Sequence, residues 1–73
     1  MLSFRSIIER WPSAEKFGAD LGLKYPSHAR VMKVRDSIPI SYWPKVLSAA
    51  DERRLQLTED DLREAHKARF GDA

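Results

Sequence analysis

The chain contains no cysteine, so neither a disulfide nor a thiolate zinc site can reinforce its core. Its glycines form no phosphate-binding loop: Gly18 and Gly22 lack the P-loop pattern and follow no strand. No apolar run approaches the roughly 20 residues that cross a bilayer, and the N-terminus lacks the basic and apolar segments of a signal peptide. A cytoplasmic location with no membrane partner is the expectation. His28 and His66 are the only histidines, they fall on different predicted helices, and no carboxylates stand around them at metal-ligand spacing. Asp60, Asp61 and Glu64 read better as charge complementing a helix N-terminus than as paired catalytic carboxylates. Neither an enzyme nor a cofactor, metal or small-molecule substrate is expected. Alternating patterns of strand length, repeats and low-complexity segments are missing too.

What remains is a 73-residue chain, 42% hydrophobic and 33% charged, with two Trp, two Tyr and three Phe. That is the composition of one folded domain, taken here as residues 1–73, which can bury about 60% of the surface its unfolded form exposes. Net charge is only +2, but it is uneven: residues 1–35 hold seven Lys and Arg against three acids, and residues 36–73 hold six against eight. Between Lys24 and Arg35 there are four basic residues, one His and no acid. A solvated helix face is the usual meaning of such a run, so its place in the fold has to decide.

Apolar spacing predicts five helices. Phe4, Ile7, Ile8 and Trp11 share one helical face, giving a first helix over about 3–11 ended by Pro12. Ser13 stands at an N-cap, and Ala14, Phe17, Gly18 and Leu21 form the second stripe, over about 14–21, closed by Gly22 in a left-handed conformation with Leu23 as an apolar plug. A third helix runs from Pro26 or Ser27 to Arg35, and Asp36-Ser37-Ile38-Pro39 makes a turn. Ser41 then caps a fourth helix carrying Trp43, Val46, Leu47 and Ala50 and ending near Ala50 or Asp51, with Pro44 in its first turn. Thr58-Glu59-Asp60-Asp61 resembles a capping box opening a fifth helix over about 59–70. Trp11, Tyr42 and Trp43 are expected in the core, and His66 at the surface or an interface.

The segment from Ala14 to Arg35, a short helix, a glycine turn and a second short helix, has helix-turn-helix spacing. With Phe17, Gly18, Leu21, Gly22 and Leu23 in place, it resembles the motif of phage Cro and lambda-type repressors. Ser37-Ile38-Pro39-x-x-Tyr42-Trp43-Pro44 is further similar to a group of short Cro-like regulators of bacterial genomes and prophages, a likeness that spans nearly the whole chain. The resemblance implies a compact all-α, five-helix Cro/repressor-like domain that binds an operator as a transcriptional regulator, a repressor more than an activator. A gap-free count from Gly22 puts His28 where that pattern has a branched apolar residue. A turn one residue longer puts Ala29 and Met32 against the preceding helix instead, and is the register favoured here.

The major groove admits one helix, whose early residues reach base edges. Arg30 can bond guanine, Ser27 and His28 can bond bases or phosphate, Lys24, Lys33 and Arg35 can neutralise phosphate, and Tyr25 can stack on sugar or bond a phosphate. Two half-sites of a palindromic operator would require a homodimer, with helices 4 and 5 as its candidate surface, the last of which displays Leu62, Ala65 and Phe70. A protein-binding adaptor that keeps the fold without reading DNA stays open as the alternative.

Overall fold

A computed structural model describes residues 2–25 and 27–71. Pro26, one of the two candidate starts of the third helix, lies outside the described residues. Ser3 opens α1 (Phe4–Ile8) through a capping box, in which Ser3 and Ser6 exchange side-chain to backbone bonds of 3.0 Å each. The helix is shorter than the apolar stripe suggested. Pro12 disfavours the α conformation at Trp11, and the chain leaves the helix by tight turns in which Arg10 N–H donates to Ile7 O and Trp11 N–H to Ile8 O. Trp11 still reaches the core.

Ser13 caps α2 (Ala14–Asp20) by accepting from Lys16 N–H. Leu21 is the C-cap, and Gly22 follows at φ 72°. Gly22 N–H bonds Ala19 O and Leu23 N–H bonds Gly18 O, the paired bonds that close a helix through a left-handed residue. Then comes α3 (Ser27–Arg35). It ends by the same device, with Asp36 N–H to Lys33 O, Ser37 N–H to Met32 O, and Asp36 at φ 55°.

Ser41 does not cap the fourth helix. It lies inside a 3-10 turn, Ile40–Tyr42, in which Tyr42 N–H donates to Pro39 O at 2.9 Å. That turn leads directly into α4 (Trp43–Glu52) with Pro44 near its start. Proline brings no N–H, and the tight turn supplies carbonyl partners for others, so a side-chain cap is dispensable. Arg54, at φ 58°, terminates α4, with Leu55 N–H on Ala50 O at 2.8 Å. Thr58 opens α5 (Glu59–Phe70) by a capping box with Asp61.

Among the described residues the protein is therefore all-helical, with five α-helices and no strand. Phe4, Ile7 and Ile8 of the short α1 lie at the centre, meeting Phe17 of α2, Ala29 and Met32 of α3, Val46 of α4 and Leu62 of α5 in one core. Its extents are 31 × 24 × 20 Å. No described polar or charged side chain is buried, which accords with the cost of burying such groups unpaired. No described helix is long and apolar enough to cross a membrane.

At one end of this core the Trp43 indole packs near Phe4 (centroids 6.4 Å) and His66 (5.9 Å), while its N–H donates to Ile38 O at 3.0 Å. His66 is more enclosed than a surface residue, half-buried among Phe4, Trp43 and Phe70. Leu62 and Ala65 are fully buried within the monomer, so neither is displayed on the surface as expected. Of the three residues on the expected pairing face, Phe70 alone stays half exposed.

Candidate nucleic-acid interface

Successive helical residues are rotated by about 100°, and that rotation sorts α3 into two sides. Ala29 and Met32 are buried toward the core, while His28 and Val31 are exposed. This is the packing that the longer turn requires. The opposite side presents Ser27, Arg30, Val31 and Val34, with His28 and Arg35 on one flank and Lys33 on the other. No acidic residue occurs anywhere in α3. Lys24 and Tyr25, in the turn, are exposed, with the Lys24 ammonium 5.6 Å from the centre of the Tyr25 ring.

The seven predicted contact residues thus fall into two groups. Lys24, Tyr25, Ser27, His28 and Arg30 come together around the turn and the first half of α3. Lys33 is half-buried and turned toward α1, its Nζ 3.6 Å from a Glu9 carboxylate oxygen. Arg35 is exposed at the far end of the helix, where its carbonyl accepts a 3.4 Å bond from Arg69 Nε.

Three groups at this end escaped the sequence reading. Arg5 and Asp36 exchange partners between α1 and α3: the Asp36 carboxylate accepts from Arg5 N–H at 2.9 Å, and the Arg5 guanidinium donates to Lys33 O at 3.3 Å and Val34 O at 3.4 Å. Each charge thus meets the helix end whose dipole it complements. The third is Glu15, in the first turn of α2, whose carboxylate receives the Arg30 Nε–H in an ion pair. Its own backbone N–H, then Arg30, hold the Glu15 carboxyl below the usual carboxylate range, so it stays ionised. These partners are 15 or more residues apart in sequence, and no local spacing announces them.

A second polar node fixes α2 to the rest. Asp20 accepts the Trp11 indole N–H at 2.9 Å and pairs with Arg53 just beyond α4, whose Nη2 lies 3.2 Å from Oδ1. The Arg53 hydrogen bond is the main cause that lowers the Asp20 pKa; partial burial opposes it. The orientation of α2, and through the Gly22 turn that of α3, is thereby set from both sides.

Among the described residues no group of three His, Asp or Glu is placed to hold a metal ion. Comparison with models of known families, with characterised proteins and with solved structures finds no match for this chain.

Proposed function

We propose that the protein is a sequence-specific DNA-binding regulator of the helix-turn-helix kind, a phage-type repressor that seats α3 in the major groove of an operator. The observation that carries this reading is the two-sided character of α3: an apolar inner side locked to the core, and an outer side bearing Ser27 and Arg30 beside Val31 and Val34, with Arg35 on its flank and no acid on the helix. A nine-residue helix is about 13 Å long, and the groove about 12 Å wide, so the outer strip can face a few base pairs. Lys24 and Tyr25 at the turn suit phosphate and sugar.

The test compares Arg30→Ala with Lys24→Ala on a duplex selected by the protein from a random pool and on random DNA, across a salt series. Loss of Arg30 should cost about 1–3 kcal/mol on the selected duplex and relax selectivity at one base pair, with less effect on random DNA. Loss of Lys24 should weaken both DNAs alike and flatten the slope of log affinity against log salt by roughly one unit. Equal losses on every sequence would reduce α3 to an electrostatic patch.

Repressors of this type read two half-sites about 34 Å apart, so a homodimer on a palindrome belongs to the same reading. With Leu62 and Ala65 buried, the pairing surface centres on Phe70, 50% exposed. Sedimentation should show association that Phe70→Glu weakens; a monomer at high concentration would contradict it. One observation favours a second reading, a protein-binding adaptor: Val34 is 75% and Ile40 60% exposed. Failure of the pool to yield any DNA ligand would make the adaptor the better account.

A further inference from the structure

The Glu15 to Arg30 ion pair is out of place on a surface meant for a polyanion. An acid there repels phosphate. It adds little to folding either, because an exposed ion pair contributes little to stability and these side chains are 43% and 71% exposed. Its geometry has another use. Arg30 spends only its Nε–H on Glu15. A guanidinium has five N–H donors in a rigid plane, so the Nη1 and Nη2 edge is left for a second planar partner.

We propose that Glu15 is a positioning residue for Arg30: from the first turn of α2 it grips Nε and aims the outer edge of the guanidinium at O6 and N7 of a guanine. This rests on the DNA-binding reading above. The carboxylate sits at the second position of α2, and the Gly22 turn and the packing of Phe17 against the shared core hold α2 and α3 as one unit. Glu15 is therefore a fixed point relative to α3. Without it, Arg30 would keep its charge but lose the orientation that separates reading a base from attracting a phosphate. Glu15 has a further consequence: on non-cognate DNA, where Arg30 finds no guanine edge, its repulsion of phosphate remains. Selectivity gains from both effects.

The experiment titrates native chain, Glu15→Ala and Glu15→Gln against a duplex selected from a random pool by the native chain, and against random duplex. Circular dichroism confirms that each variant is folded. A positioning role requires opposite signs. Glu15→Ala should bind random DNA more tightly, having lost an acid, and the selected duplex less tightly, so that the ratio of the two affinities falls about tenfold. Glu15→Gln, which retains an acceptor for Nε, should fall between. In the Arg30→Ala background, Glu15→Ala should leave the ratio unchanged, since there is no guanidinium left to aim. If Glu15→Ala strengthens both duplexes equally, Glu15 is only a repulsive charge and the positioning role is wrong, while DNA binding stands. If the native chain selects no duplex at all, the DNA-binding reading fails first and this inference with it.

Discussion

At the α2–α3 end the outer surface is organised by polar contacts between exposed groups: Arg30 with Glu15, Lys33 with Glu9, Arg5 and Asp36 exchanged between two helix ends. At the α4–α5 end rings do the holding, with Trp43 and His66 packed about Phe4. Exposed charges contribute little to stability because water and salt screen them, but they fix directions. Buried rings contribute much, through the apolar area they remove from water and their edge-to-face packing. A ring pair lies under the α2–α3 end too, with Trp11 edge-on to Phe17 at 4.8 Å, so what distinguishes that end is its outer surface, which is left to be specified by orientation.

The comparison breaks most visibly if the ring end turns out not to carry the stability. Trp43 is 7% exposed, and Trp43→Ala should cost about 3–5 kcal/mol in denaturant unfolding. Arg30→Ala should change stability by less than about 0.5 kcal/mol. Comparable losses for the two would show that the α2–α3 surface is structural after all.

A finer test uses the three left-handed turns. At Gly22 an added Cβ would meet nothing within 4 Å, so Gly22→Ala isolates backbone strain and should cost about 1–2 kcal/mol. Arg54 suffers that strain already, and Arg54→Gly should stabilise by up to about 1 kcal/mol once the added chain entropy is counted. Asp36→Gly gains less relief, because Asp tolerates this conformation better, and it removes the carboxylate from the α1 amide; a net loss of about 1 kcal/mol is expected. Equal thermal shifts for Asp36→Gly and Arg54→Gly would mean that the Asp36 carboxylate contributes nothing.

These turns also mark what the sequence makes legible. Gly22 announces itself, since glycine adopts positive φ freely, and Thr58 with Asp61 announces α5, whose ends fall at Glu59 and Phe70 as expected. Arg54 gives no signal, because its conformation is imposed by the packing of α4 before it and Leu55 after it. The same holds for Ser41, which has the chemistry of a cap but is drawn into a 3-10 turn by Pro39 and Pro44. At the candidate site the residue types on α3 could be read from the sequence, and so could the inward pair Ala29 and Met32. The roles of Glu15, Glu9 and Arg5 could not, because charge pairing between helices depends on where the fold brings them. Leu62 and Ala65 are buried where a surface was expected for a related reason: a helical stripe shows that a face is apolar, not whether the chain's own core covers it.

The Arg5 and Asp36 exchange has a consequence for the field around α3. A helix carries roughly half a positive charge at its N-terminus and half a negative charge at its C-terminus. Arg5 and Arg69 donate to the last carbonyls of α3, at Lys33, Val34 and Arg35, and so quench the negative pole. Its positive pole, at the Ser27 end, then acts less as half of a dipole and more as a lone fractional charge, whose potential declines more slowly with distance. Within the screening length of about 8 Å at physiological salt, the Ser27 end of α3, which is the end that the proposed DNA-binding role would use, would attract a polyanion as a single charge.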